Sequence, residues 1–145
     1  MDSYFEQVKN YLNNADVFAK ENNMRITRIE EGHSEGEFTA DERHWNGLHI
    51  VQGGAIFTFA DFIFAGTVNS YGIKAIGMNA NISYLRPGTG RSFRAVADAV
   101  SKGRRTCLVS VQVFDEKNRL IAHATMNGFF LEEPFFGSPS APAEK

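Results

Sequence analysis

His44-Trp45-Asn46-Gly47-Leu48-His49-Ile50-Val51-Gln52-Gly53-Gly54-Ala55-Ile56-Phe57-Thr58-Phe59-Ala60-Asp61-Phe62-Ile63-Phe64-Ala65-Gly66-Thr67-Val68-Asn69-Ser70-Tyr71 is the stretch that decides the fold. It opens as a polar loop, passes through Gly53-Gly54 and continues as a long apolar segment that only Asp61 interrupts with a charge. A helix apolar on nearly every side is expected to be buried. A lone carboxylate in such a helix is costly unless it is paired, hydrogen-bonded or neutral. Asp61 is therefore the residue that requires an explanation.

Working outward, the bulk properties bound the protein. A chain of 145 residues fits one domain with a sizeable core. An apolar content of 43% with 22% charged residues is that of a globular chain. Fifteen basic against 17 acidic residues give no general electrostatic reason to hold nucleic acid or an anionic membrane. Cys107 is the only cysteine, which excludes an intrachain disulfide and fits a reducing compartment. MDSYFEQVKN has neither the basic start nor the apolar core of a secretion signal. Thr58, Asp61 and Gly66 break the longest apolar run, so no membrane span is read. The expectation is a cytoplasmic protein without membrane or nucleic-acid partners.

The flanking segments supply the rest of the fold. Residues 3–21 carry apolar side chains near helical spacing (Phe5, Val8, Leu12, Ala15 and Phe18 or Ala19), with Asp2 or Ser3 as cap. Residues 24–31 alternate as a strand of uncertain register, Gly32-His33-Ser34 reads as a turn, and residues 35–40 form a second strand. The helix is expected over 53–71, ended by Asn69, Ser70 and Gly72. Four strands follow, over 75–85, 92–100, 105–114 and 119–131, joined by short turns that would make them antiparallel. On the first, Ile76, Met78, Ala80, Ile82 and Tyr84 fall on one face. The expected class is α+β, one antiparallel sheet wrapped around a single long central helix, over residues 1–136. Residues 137–145, rich in Pro, Ser and Ala, are expected to be a disordered tail.

In its motifs the chain resembles the hotdog-fold acyl-CoA thioesterases of the PaaI-like group. The resemblance rests on ADVFAKENNMRITRIEEGHSEGEF before and within the first strands, Asn46, Gln52-Gly53-Gly54, Asp61, NISYLRPGTGR and the SKGRR turn. It implies hydrolysis of acyl-CoA or aryl-CoA thioesters, with coenzyme A only as part of the substrate and no separate cofactor. It also implies a homodimer with a composite site, often paired into a homotetramer. Two departures stand out. Gln52 occupies the place of the family's histidine and cannot titrate, and Gly77 matches the position where the family often has Ser or Thr.

On this resemblance the residues acquire roles. Gly53 and Gly54 would offer free amides at a positive helix end to a thioester oxygen. Asp61 would be general base or nucleophile, Asn46 would hold the carbonyl or water, and Gln52 would add a polar contact. Phe57, Phe62, Phe64 and Gly77 would line the acyl or aryl pocket, and Lys102 and Arg104 would meet coenzyme A phosphates. Spacing adds an independent constraint. Gly53 and Asp61 are eight residues apart, or ~12 Å along one helix. Groups sharing one carbonyl must lie within about 3–3.5 Å of it, so Asp61 is expected from a second subunit.

His44 and His49 share a loop but lack a third ligand, so no metal is expected. His33 reads as a turn residue, His123 as a strand residue and Cys107 as core. A non-catalytic acyl-CoA-binding module is the alternative that Gln52 and Gly77 keep open. An acyl-thioester dehydratase or hydratase is the third, and Gln52 in place of a catalytic His argues against it.

Overall fold

A computed structural model describes residues 2–137; the expected tail therefore lies, but for Gly137, outside the described residues. Helix α1 (Tyr4–Ala15) and a short α2 (Val17–Glu21) precede strands β1 (Met24–Glu30) and β2 (His33–Thr39). The central helix α3 (Gly53–Val68) follows, then β3 (Ile73–Tyr84), β4 (Ser92–Lys102), β5 (Thr106–Phe114) and β6 (Leu120–Pro134). All neighbouring strands are antiparallel, in the order β1-β2-β4-β5-β6-β3.

The alternation written into the strands decides which face meets α3. Cys107, Val109, Val111 and Val113 on β5, and Ala122, Ala124 and Met126 on β6, are almost wholly buried, as are Phe93, Ala95 and Ala97 on β4. Phe59, Ala60 and Ile63 of α3 fill the concave side of the sheet at 0% exposure. One buried polar rivet crosses this interface. Ser34 Oγ lies 2.5 Å from the Ile63 carbonyl and 2.8 Å from Thr67 Oγ1, which donates to the Ala97 carbonyl at 3.0 Å. Hydroxyls so placed satisfy carbonyls that water cannot reach.

Several expectations need correction. The first helix is two, because Asp16 leaves helical geometry (φ −80°, ψ 87°) and its carboxylate accepts from the Ala19 amide, restarting the chain as α2. The uncertain register of β1 has a cause, a bulge between Ile26 and Arg28. His33 is not a turn residue but opens β2, held by Asp98 at 2.6 Å and Glu35 at 2.7 Å. The hairpin reading holds for β4-β5-β6 but fails for β3, which pairs with β6 at the far edge. Residues 85–91 cross the end of the sheet instead of reversing, and Val51 pairs there with Gly88. A second bulge, at Met78, splits the predicted apolar face of β3. Ala75 and Gly77, then Ala80, Ile82 and Tyr84, stand opposite the inward residues of β6, while Ile76 turns outward and is 54% exposed.

Close approach explains one glycine. A Cβ on Gly36 would overlap Ile63 Cδ1 and stand 2.6 Å from the backbone carbonyl oxygen of Arg25. Backbone on one side leaves little room for relief. We expect Gly36→Ala to lower unfolding free energy by roughly 1–3 kcal/mol, measured by urea unfolding, without loss of the fold.

Candidate active site

α3 begins where the chain is tied down on both sides. Trp45 pairs with Val51, and the loop between them is closed by Asn46, whose Oδ1 accepts from the Leu48 amide at 2.8 Å and Ile50 at 3.4 Å. The Gln52 amide donates to the His44 carbonyl at 2.7 Å. Gln52 is the N-cap residue, but its side chain makes no capping bond. Its carbonyl accepts from Ala55 and Ile56, so the amides of Gly53 and Gly54 are left without a partner among the described residues. These two N–H groups stand at the positive end of a helix of 16 residues.

Sequence reasoning missed Tyr84, which fixes this end from across the fold. Its hydroxyl donates to the Gly53 carbonyl at 3.0 Å, and a Cβ on Gly53 would lie 3.2 Å from Tyr84 Cζ. Its place at a strand end, with a turn after it, carries no signal of that contact.

The expectation that α3 is buried all round is not met. Gln52, Gly54 and Asp61 are exposed, and Phe57, Thr58 and Ala65 only partly covered. These positions recur at three- and four-residue steps and form one open strip, because the sheet covers only the opposite side of the helix. Asp61 stands in that strip. Its carboxylate reaches solvent, yet protein atoms crowd it and this loss of hydration raises its pKa above the ordinary carboxylate value; the negative charge of Asp16 raises it further. Two recesses meet at Asp61. One, of about 390 Å³, is lined by Asp16, Phe18, Phe62, Phe64, Ala65 and Gly77 among others; the second is lined by Phe57, Phe64, Gly77 and Met78.

The structure thus brings together Asp61, Phe57, Phe62, Phe64 and Gly77. A Cβ on Gly77 would sit 3.6 Å from Phe64, an ordinary contact, so the missing hydroxyl is not forced by lack of space. Gln52 and Gly54 line a separate recess at the start of α3, with Phe18, His44, Trp45 and Thr58. Lys102 and Arg104 are brought to neither end. Lys102 Nζ lies over the rings of Tyr71 and Phe130 at 5.0 and 5.2 Å. Arg104 lines another hollow with Arg105 and Phe130. His44 is a buried clasp: Nδ1 accepts from the Asp41 amide at 3.0 Å, leaving Nε2 to donate to Asn22 Oδ1 at 3.1 Å, and burial lowers its pKa.

One antiparallel sheet curled on one helix, with an acid on the open strip of that helix, defines a hotdog domain of the thioesterase kind. The Thioesterase superfamily profile matches residues 48–122. The chain is 30% identical over 131 residues to a provisionally named esterase of Archaeoglobus fulgidus, covering 90% of this chain and 85% of that one. It is 29% identical to the acyl-coenzyme A thioesterase PaaI of Escherichia coli over 74% of this chain and 77% of that one. The solved structure of Escherichia coli PaaI superposes with a TM-score of 0.86 at 24% identity, over 90% and 95% of the two chains. A Streptococcus mutans protein solved with acetyl coenzyme A superposes at 0.72 with 27% identity, over 75% and 89%. The chain belongs to the Thioesterase superfamily, in its PaaI-like hotdog group.

The raised pKa of Asp61 has a thermodynamic corollary. A folded-state pKa above the unfolded one contributes stability below the unfolded value and loses it as pH rises through the folded value. At neutral pH the ionised Asp61 is therefore a burden on the fold. We expect Asp61→Asn to melt at a higher temperature than the native protein at pH 7, with the difference closing as pH falls through the carboxylate range. A lower melting temperature for the variant would contradict this.

Proposed function

We propose that this protein hydrolyses acyl-CoA or aryl-CoA thioesters to the free acid and coenzyme A, as a homodimer. The observation that carries the reading is the open strip of α3, with unpartnered Gly53 and Gly54 amides at one end and Asp61 ~12 Å further along. Neither end can reach the other's carbonyl. A second copy laid antiparallel over the strip brings the partner's Asp61 to the first copy's glycines, and the reverse. β3 favours such a pairing. It is an edge strand, and Ile73, Ile76, Met78, Tyr84 and Leu85 on or beside it are 40% to 54% exposed.

In this arrangement the thioester oxygen accepts from the Gly53 and Gly54 amides, whose positions are set before the substrate arrives. The ionised partner's Asp61 either takes a proton from the attacking water or attacks the carbonyl carbon itself. On the first route the proton taken from water passes to the sulfur as the C–S bond breaks. On the second the thiolate leaves, and water then cleaves the mixed anhydride, giving the free acid, the restored carboxylate and the proton that the thiol carries. Asn46, with its oxygen engaged inside its own loop, has its amide nitrogen left to donate to the carbonyl or the water. Gln52 adds a neutral polar contact. The names of the relatives, an acyl-coenzyme A thioesterase and a protein solved with acetyl coenzyme A, support the substrate class.

Thiol release from a panel of acyl-CoAs tests the reaction. We expect turnover by the native protein, falling with acidification through the raised Asp61 pKa, and a loss of ~10²–10⁴-fold in Asp61→Asn and Asp61→Ala. Mixed dimers test the sharing. Gly54→Val places its Cβ against the mobile end of Gln52 and blocks the amide end only. Combining it with Asp61→Asn leaves one intact composite site per mixed dimer, so activity should return on mixing. No recovery would place both groups in one chain.

A further inference from the structure

Phe18 is the most exposed aromatic side chain of the described residues, at 64%, on a helix of only five residues. It is not a loose surface residue. It lines both the recess around Gln52 and Gly54 and the one around Asp61, and Thr58 is shared by the same two. The two recesses thus adjoin at Phe18 and Thr58, as a groove along the open strip of α3. Ala19 beside it is 1% exposed and anchors α2 in the core.

A chain of hydrogen bonds fixes Phe18 relative to the start of α3. The Phe18 carbonyl accepts from Asn22 Nδ2 at 2.9 Å, and Asn22 Oδ1 accepts from His44 Nε2. The His44 carbonyl accepts from the Gln52 amide, one residue before Gly53. Asp16 holds the other end of α2 through the Ala19 amide.

The lining selects what can lie there. Both polar atoms of Asn22 are used within this chain, and both ring nitrogens of His44 are taken. The Arg43 guanidinium is committed to Asp41 and to the Glu21 carbonyl. Apart from the Gly54 main chain and the Gln52 and Thr58 side chains at its helix end, the wall that this recess still offers is made of Phe18, Met24, Trp45 and Ala55. The pantetheine arm of coenzyme A is rich in amides and gains little from such a wall, whereas an alkyl or aryl group needs no partner there.

We propose that Phe18 is a specificity-determining residue: the acyl group of the thioester extends from the Gly53–Gly54 end along the groove beneath Phe18, which sets the length and bulk accepted. This rests on the thioester reading above but is tested without turnover. Calorimetry would measure the affinity of non-hydrolysable thioether analogues of acyl-CoA with short, medium and long alkyl chains, and of free coenzyme A. For the native protein, affinity should rise with chain length. Phe18→Ala should lose roughly three- to tenfold for the longest chain and leave free coenzyme A unchanged, while Phe18→Leu recovers part of the loss. Because Phe18 is exposed, its melting temperature should not move. Equal weakening for every analogue and for coenzyme A would put the pantetheine arm under Phe18 and overturn the proposal, as would no change at all or no binding by the native protein. Chain-length-dependent binding of the analogues, with no thiol release from the corresponding acyl-CoA thioesters, would sink the hydrolase reading and leave this one standing.

Discussion

Everything in this fold follows from one mismatch: a helix has a circumference, and a single curled sheet covers only part of it. α3 needs cover for Ile56, Phe59, Ala60 and Ile63, and the inner side of the sheet provides it: on β2, Phe38 packs on Phe59 and Gly36 lies against Ile63, while the crossover at Gly88 meets Ile56. What remains is the strip through Gly54, Phe57, Thr58, Asp61 and Ala65. The residues there are small, polar or half-covered. In an isolated chain this strip would be a flaw in the packing; as one wall of a site it is a place where substrate and a second copy can reach a helix that is otherwise locked in a core.

The rigidity of the buried side matters to the open one. The hydroxyls of Ser34 and Thr67 pin α3 to β2 and β4, and Tyr84 holds the carbonyl of Gly53 from the opposite edge. Electrostatic assistance from main-chain amides is effective when the amides need not move to give it. Here they are held by contacts on the far side of the helix, away from the groove.

The sequence disclosed what depends on local pattern. Gly53-Gly54 ahead of an apolar run marks a helix start, and Asp61 stands out as a charge among Phe and Ala. The valines of β5 declare their face by simple alternation. What it concealed depends on distant segments meeting. Helical spacing leaves Phe18 and Ala19 as alternatives for the apolar face, and His44 reads as a loop residue; that Asn22 ties Phe18 to His44 shows only when α2 is seen against the entry to α3. The bulges beside Ile26 and at Met78 shift the side-chain parity of β1 and β3 without a composition signal. Lys102 shows the converse: in sequence it is one of three basic residues in a turn, in space it rests on two aromatic rings. The edge position of β3 was hidden because RPGTGR has the composition of a hairpin turn and the path of a crossover.

The unpaired amides of Gly53 and Gly54 have a meaning for how such a protein can vary. On the proposed reading, half of its chemistry is written in main-chain atoms, which every residue type except proline possesses and no ordinary substitution deletes. Heritable change then falls mainly on the walls and on a single acid. A chain of this kind can drift, exchanging the residue at position 52 or the side chain overhanging the groove, and arrive at a different diet with the same reaction.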